Sequence, residues 1–403
     1  MSARTRLIPY PEERALEDAA YARGVVPTRI FAVLLPVWCV EVKATVTEGE
    51  PYELIDRYLE RGIAAAGLDT VADLARFFAL DEILVDRALR FLTAIGHVTD
   101  SGGRLTLTEL GHRSVHDQVR YVITREDRRK MYFDAFGSRP LTRRYYDTRT
   151  VTFLSGEALE AVLARRDGPR FQMLCCTRGF RREALTELAC HPDRDHYNLP
   201  ERIDGPESLG EEYVYLPLYI VRAVQQGGQV RHLAYTQVGS EADPDVTTLC
   251  EQTPEVVGVC ESEERAARSH ADQTWVTEWL RKRNLDGRGP VRLDDDTWRV
   301  TLPGASFDTT GPLSISKLGS FVVVGNDFFH VWCEDERVRR RALLERIDSY
   351  LSSRVRIDRT DTDQRITQIA RQLDLGAIDV GTLHRMAVKA GKHGLAAQLD
   401  RVA

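Results

Sequence analysis

Three groups of residues have types and spacings that could do chemistry, and the first is a set of metal-binding side chains. Zn²⁺ takes four nitrogen or sulfur ligands, usually from short paired spacings. The set, which contains no Cys-x-x-Cys pair, is Cys175, Cys176, Cys190, His191 and His196. Cys175 and Cys176 stand in Phe171–Cys176, predicted to be a buried strand, where cysteine behaves as a small hydrophobe. We therefore predict no metal and no other cofactor.

The second group is Glu41 and Lys43, which have the Glu-x-Lys spacing of a metal-dependent nuclease core. In such a core carboxylates hold Mg²⁺ and the lysine stabilises developing charge. The core also needs an acid from a preceding strand, and the preceding residues are predicted to be largely helical. Alternating polar residues on a half-exposed strand explain the pair more simply. A nuclease-like effector enzyme with its site in residues 151–354 remains an open alternative.

The third group is a basic and aromatic stretch, residues 120–149. It carries nine positive and four negative side chains, and six aromatic residues lie between them. Arginine and lysine bind phosphates, and aromatic rings stack on unpaired bases. The same alternation is typical of a strand pair with one solvated face, and that interpretation is favoured. The densest run of charge contains Arg125, Arg128, Arg129 and Lys130.

A series of short elements precedes this stretch. Tyr52–Ala66 has apolar residues at helical spacing, and Asp69 or Thr70 can cap a short helix at Val71–Phe78. Asp81 can cap a third helix, Glu82–Ile95, and residues 97–107 read as a hairpin with its turn at residues 100–103. The predicted buried stripe of the third helix comprises Ile83, Leu84, Ala88, Leu89, Leu92 and Ile95.

This order of three helices and a two-stranded wing, at about residues 52–115, resembles the winged-helix form of the helix-turn-helix superfamily. Residues 70–80, residues 81–95 and the Leu-Thr-Glu-Leu-Gly after the wing carry the resemblance. It implies that the third helix enters the major groove of duplex DNA. The DNA-contacting residues would then be Arg87 and Arg90 on that helix, Arg104 on the wing, and Arg125, Arg128, Arg129 and Lys130 at phosphates.

The charge of the module argues against direct reading of bases. Asp81, Glu82 and Asp86 make the front of the third helix negative, and residues 51–119 contain eleven acidic and seven basic residues. Winged helices also serve as protein-docking or dimerisation modules. Docking to a protein partner, or self-association, is therefore an equal alternative to DNA contact.

Composition limits the compartment and the class of protein. The 403 residues have a net charge of −6, so a nucleic-acid site must be a local basic patch. The apolar run Phe31–Val40 is too short to cross a bilayer, and the N-terminus lacks the apolar segment of a signal peptide. Seven cysteines without a Cys-x-x-Cys pair indicate a reduced, cytoplasmic protein. The excess of arginine over lysine indicates a GC-rich bacterial genome.

The remaining elements follow from periodicity and turn residues. A hairpin is expected at residues 213–238, where Pro217 indicates an edge strand. Residues 191–212 read as a loop and residues 354–363 as a linker. Further predictions are a helix at Ser262–Asn284, a strand or hairpin at residues 291–302, a hairpin at residues 321–333, a helix at Glu334–Ser352, and a terminal helical hairpin at Ile366–Leu375 and Gly381–Val402.

The predicted fold is α+β, with an N-terminal winged-helix module, a central mixed α/β domain and a short C-terminal helical hairpin. The expected boundaries give segments 1–50, 51–119, 120–150, 151–354 and 355–403. The expected function is a non-enzymatic bacterial regulator or accessory protein. It would bind DNA or a DNA-bound partner, while the central domain senses, dimerises or docks.

Overall fold

The computed structural model describes residues 6–164, 169–268, 273–285, 289–308, 310–353 and 358–401. Helices and mainly antiparallel sheets are both extensive, so the α+β class is confirmed. No helix among these residues is long and apolar enough to cross a membrane.

The helices are α1 (Glu12–Glu17), α2 (Leu54–Ala66), α3 (Val71–Phe78), α4 (Glu82–Ala94), α5 (Glu109–Asp117), α6 (Gly156–Leu163), α7 (Glu183–Ala189), α8 (Arg194–Tyr197), α9 (Pro244–Glu251), α10 (Pro254–Arg268), α11 (Thr274–Arg281), α12 (Glu336–Ser352), α13 (Arg359–Gln372), α14 (Val380–Lys389) and α15 (His393–Asp400). The strands are β1 (Val26–Glu50), β2 (Val98–Ser101), β3 (Arg104–Leu107), β4 (Arg120–Asp134), β5 (Gln172–Met173), β6 (Arg202–Val224), β7 (Val230–Tyr235), β8 (Val291–Arg292), β9 (Trp298–Thr301), β10 (Phe321–Val324) and β11 (Asp327–Trp332).

The chain forms two compact units, each assembled from separate segments. The first comprises residues 1–36, 149–175 and 215–403, and the second comprises residues 37–148 and 176–214. The strands β1 and β6 contribute residues to both units. The expected domain boundaries remain a prediction.

The first unit contains two sheets. One includes the first part of β1, the second part of β6, and β7, which pairs with β6 from Tyr219 to Val224. The other has the strand order β10-β11-β9-β8, and β11 and β9 are parallel. The helices α11 to α15 share one apolar core with the second sheet, through residues such as Phe329, Leu343 and Ile369. The C-terminal helices are therefore packed into this core.

In the second unit, β4 pairs with β1 in antiparallel fashion, from Val37 opposite Asp134 to Glu50 opposite Arg120. The register shifts between Ala44 and Val46, and Glu126 has a φ of +56° there. The strand β4 is the outer strand of its sheet, and the outer edge of its last residues bonds to the following segment, through an antiparallel bridge between Phe133 and Pro140. The apolar face behind β4 is covered by α7, through Leu185 and Leu188.

Several local predictions were wrong. Residues 191–212 are not a loop, since they contain α8 and the start of β6. Pro217 lies in an inner strand, although the pairing of β6 with β7 begins only at Tyr219. The predicted helix at Ser262–Asn284 is two helices, α10 and α11, and residues 269–272 between them are outside the described residues.

Two further corrections concern shorter segments. The strand predicted at Phe171–Cys176 is reduced to two exposed residues, Gln172 and Met173. The predicted linker at residues 354–363 overlaps α13, which Asp358 caps through the Asp361 N–H, while residues 354–357 lie outside the described residues.

Candidate interaction surface

The helices α2, α3 and α4 and the hairpin β2–β3 form a small core of their own. The side chains of Leu59, Leu74, Leu89 and Leu92 are buried in it, together with Val98 and Leu105 of the hairpin. The capping predictions were right. Thr70 accepts the Asp73 N–H at 3.1 Å, and Asp81 accepts the Ile83 N–H at 2.7 Å. These caps satisfy N–H groups that have no partner within the helix.

The hairpin forms where its turn residues predict it. The Asp100 carboxylate accepts the Gly103 N–H at 2.8 Å, and Gly102 and Gly103 both have positive φ. Such φ values suit glycine, which has no Cβ to clash. Val98 pairs with Leu107 at the open end of the hairpin.

The predicted buried stripe of α4 was wrong at its start. The residues that α4 buries are Val85, Leu89 and Leu92, whereas Ile83 is 79% exposed and Leu84 is 41% exposed. Successive helix residues are about 100° apart. A helix that turns Val85 and Leu89 inward therefore turns Ile83 outward. The sequence contains more apolar residues on α4 than one face can bury, and that excess was a signal of a second contact surface.

Neighbouring helices of the module carry further exposed apolar residues. Leu54 on α2 is 66% exposed and Phe77 at the end of α3 is 63% exposed, and Tyr58 and Phe91 are also exposed. The ring centroids of Tyr58 and Phe78 are 6.1 Å apart, and those of Phe77 and Phe78 are 4.9 Å apart. We call Leu54, Tyr58, Phe77, Ile83, Leu84 and Phe91 the α4 face. Sequence reasoning placed none of these residues in a site.

A buried hydrogen-bond network fixes the module to β4. His97 Nδ1 lies 2.5 Å from Glu60 Oε1, and His97 Nε2 lies 2.5 Å from the Tyr121 carbonyl oxygen. A carboxylate oxygen and a carbonyl oxygen both accept hydrogen bonds, so this arrangement favours a protonated imidazole, in which both ring nitrogens donate. Burial lowers the pKa of His97, but the hydrogen bonds to Glu60 and to the Tyr121 carbonyl outweigh it and raise the pKa above its ordinary value.

Further polar contacts extend this network. The Tyr52 hydroxyl donates to Glu60 Oε2 at 2.5 Å, and the Tyr121 N–H donates to Ser114 Oγ at 3.1 Å. Arg120, the first residue of β4, forms ion pairs with Glu50 at 2.6 Å and with Asp56 at 3.1 Å. The module is therefore tied to the start of β4 by groups that are costly to separate.

The predicted DNA-contacting residues of the module all point to solvent. Arg87 on α4 has no ion-pair partner in the described part of the chain, whereas Arg90 pairs with Asp86 at 2.7 Å. Arg104 on the hairpin is 3.5 Å from Asp69. Two of these three arginines are thus partly neutralised by neighbouring carboxylates.

The other predicted contacts lie along β4, as the favoured strand interpretation requires. Arg125, Arg128 and Lys130 are exposed and form no ion pair with any described residue. Arg129 pairs with Glu48 and with Asp127. At about 3.3 Å per residue, Lys130 lies roughly 30 Å along the strand from Arg120. Charged side chains on an outer strand also discourage edge-to-edge aggregation, which gives this basic run a structural reason to exist.

Glu41 and Lys43 occupy the solvated side of the β1–β4 ladder. Glu41 is opposite Lys130, Lys43 is opposite Arg128, and Lys43 Nζ is 3.5 Å from Glu126. Cys175 and Cys190 are exposed rather than buried, which corrects the prediction for Cys175. The described residues contain no cluster of three or more His, Cys, Asp or Glu side chains placed to hold a metal ion.

Comparison with known proteins finds no relative of this chain. No protein-family model matches the chain, and no curated protein and no solved structure resembles it significantly.

Proposed function

We propose that residues 52–117 are a winged-helix module used for protein docking, and that its occupant is a second copy of this chain. In this proposal the protein is a non-enzymatic assembly protein. The observation that carries the proposal is the exposure of Ile83 and Leu84 at the start of α4, the helix that would read DNA in a DNA-binding winged helix.

The apolar content of the α4 face supports docking. Of the thirteen large apolar side chains exposed among the described residues, six belong to this one small module. Single exposed apolar residues are ordinary, but a concentration of them marks a contact surface. Burying one leucine or isoleucine side chain contributes roughly 1.5–3 kcal/mol, so Ile83 and Leu84 together offer a substantial gain to a partner.

The charge on α4 is unfavourable for base reading. Asp81 and Glu82 stand at its N-terminal end, which is the end that a recognition helix directs at base edges. Carboxylates there would face the phosphates of the duplex. Base readout is dominated by arginine, lysine, asparagine and glutamine, and of these the exposed part of α4 offers only Arg87 and Arg90.

The distribution of charge along α4 favours a second copy as the occupant. Acidic Asp81 and Glu82 lie at one end of α4 and basic Arg87 lies about one and a half turns further on, so the charge pattern is self-complementary in an antiparallel pair. In a two-fold dimer the same patch is used by both chains. Two α4 helices that cross antiparallel near Ile83 and Leu84 would bring Glu82 of each chain close to Arg87 of the other.

A measurement of mass in solution tests the proposal. We expect the full chain to elute as a dimer in light-scattering chromatography at about 100 µM, which populates dimers of micromolar affinity. Ile83→Asp should give monomers, because it places a charge in the centre of the contact. The matched control is Val388→Asp on α14, which changes a similarly accessible apolar residue and should leave the dimer intact. A monomeric unmodified chain would overturn the proposal.

DNA contact is a second candidate, favoured by the exposed basic residues Arg125, Arg128 and Lys130 along β4, which form no ion pair with a described residue. Such contacts would be to phosphates and would not depend on sequence. A mobility-shift assay with random duplex at low salt tests it. Parallel reactions with Mg²⁺ and with EDTA show whether the duplex is cut, which is the outcome that the nuclease alternative requires.

A further inference from the structure

The first unit contains a cavity of about 190 Å³ whose walls come from five short segments. These are the start of β1, the end of α10, the start of α11, the β8–β9 turn, and the β10–β11 turn. The residues that matter for its chemistry are Arg29, Glu264, Trp275, Arg292, Asp295, Asp296, Trp298 and Asp327.

Most charged side chains of the cavity are paired. Among the described residues, four carboxylates and two arginines line it, and Arg222 Nη1 also lies 3.9 Å from Glu264. Arg29 is held by Glu264 at 2.7 Å and by Asp327, and Arg292 is paired with Asp296 at 3.1 Å. Asp295 accepts the Thr297 N–H at 3.0 Å and forms no ion pair with a described residue. The carboxylate of Asp295 is therefore available to a cation.

The aromatic side chains that line the cavity also favour a cation. Trp275 and Trp298 are partly exposed and both contribute to the lining. An indole face attracts cations through its quadrupole, and more strongly than a phenyl face does. Trp298 already has a guanidinium over it, because Arg292 Cζ lies 5.8 Å from the ring centroid. The cavity thus combines two indoles with one uncompensated carboxylate.

We infer that this cavity binds an organic cation, an alkylammonium or alkylguanidinium group. The Asp295 carboxylate would pair with the charge, and the Trp275 and Trp298 rings would contact the alkyl or planar part. A volume of 190 Å³ corresponds to about six water molecules in the liquid, which limits the group to the size of a lysine or arginine side chain. The group can belong to a free amine or to a basic side chain of a protein.

Isothermal titration of the full chain tests the inference with defined probes. The probes are n-butylguanidinium and n-butylammonium, n-butylurea as the neutral analogue, and acetyl-Gly-Arg-Gly-amide as the peptide source of the same group. Saturable binding of a cation, with no binding of n-butylurea, supports the inference. Binding of the peptide without the free cations would place the group on a protein partner, and binding of the free cations identifies a small molecule as sufficient.

A matched pair of variants locates the binding. Asp295→Asn should weaken cation affinity by about tenfold or more, since it removes the carboxylate, whereas Asp294→Asn should have little effect. Asp294 precedes Asp295 on the same turn and does not line the cavity, so the two variants change the net charge equally. Equal losses in both variants, equal binding of n-butylurea, or no saturable binding to the unmodified chain would each overturn the inference. Because both aspartates are exposed, thermal melts should show both variants to be folded.

Discussion

Two helices that combine apolar residues with arginines, α4 and α12, have different surroundings. The helix α4 carries two arginines and α12 carries five. In α12, Leu343, Leu344, Ile347 and Leu351 are buried in the core of the first unit. In α4, Val85, Leu89 and Leu92 are buried, but Ile83 and Leu84 remain exposed.

The arginines of the two helices differ in the same way. Arg339 on α12 donates to the Leu373 and Asp374 carbonyls at 2.8 Å, and Arg341 donates to the Phe307 carbonyl at 2.9 Å. Arg87 on α4 has no ion pair with a described residue. The comparison teaches that an apolar helix with arginines is not a site by composition. What distinguishes α4 is that Ile83 and Leu84 are exposed and that Arg87 has no ion pair with a described residue.

The largest expected effect that tests this comparison is on the free energy of unfolding. Leu89→Ala should lower the free energy of unfolding by about 2–5 kcal/mol, because Leu89 is buried in the module core. Leu84→Ala should cost well under half as much, since Leu84 is exposed. Urea denaturation of the two variants, each in an Ile83→Asp background that removes the proposed dimer contact, measures the difference. Equal losses would mean that Leu84 is buried and that α4 has no second face.

The buried His97–Glu60 pair gives a prediction for pH. The folded-state pKa of His97 is raised above the unfolded value of about 6.5, so its stabilising contribution is complete below pH 6.5. That contribution is lost as the pH rises through the raised folded pKa. We expect the unmodified chain to lose more stability between about pH 6.5 and 9 than His97→Gln does. Urea denaturation of both proteins at the two pH values measures these losses. The same loss in both proteins would contradict the prediction.

The smallest expected effect concerns duplex DNA. If β4 contacts phosphates, replacing Arg125, Arg128 and Lys130 by alanine should lower affinity on all sequences. It should also reduce the salt slope by about one for each lost contact. Replacing Arg87 and Arg90 should change affinity less. Fluorescence anisotropy across a salt series measures the affinity of both sets of variants. A larger loss of affinity from the Arg87 and Arg90 replacements would indicate that α4 binds in the major groove.

Local structure was largely predictable from sequence because its causes are local. The caps Thr70 and Asp81 and the turn at Asp100–Gly103 each act within three residues. The first part of β6 was missed because Gly205 and Pro206 are turn residues by type, whereas the segment is extended in the structure. The α+β class could be predicted from these helices and strands alone. Which strands pair with one another across the chain could not be predicted.

The candidate site was less predictable because it depends on contacts between distant residues. Sequence alone does not tell which of two apolar stripes on α4 faces the core. That choice is made by α2 and by the hairpin, through Leu59, Val98 and Leu105. The pairing of His97 with Glu60 joins residues 37 positions apart and left no signal in either local pattern. The arginines were found, but their carboxylate partners were not.

The most direct test of self-association through α4 is a reciprocal charge exchange measured by sedimentation equilibrium. Glu82→Arg alone and Arg87→Glu alone should each weaken the dimer by about tenfold or more, since each places like charges together. The double variant restores opposite charges on the two chains and should recover most of the affinity. If the double variant is as weak as the two single losses combined, or if the single variants dimerise like the unmodified chain, the α4 face is not the contact.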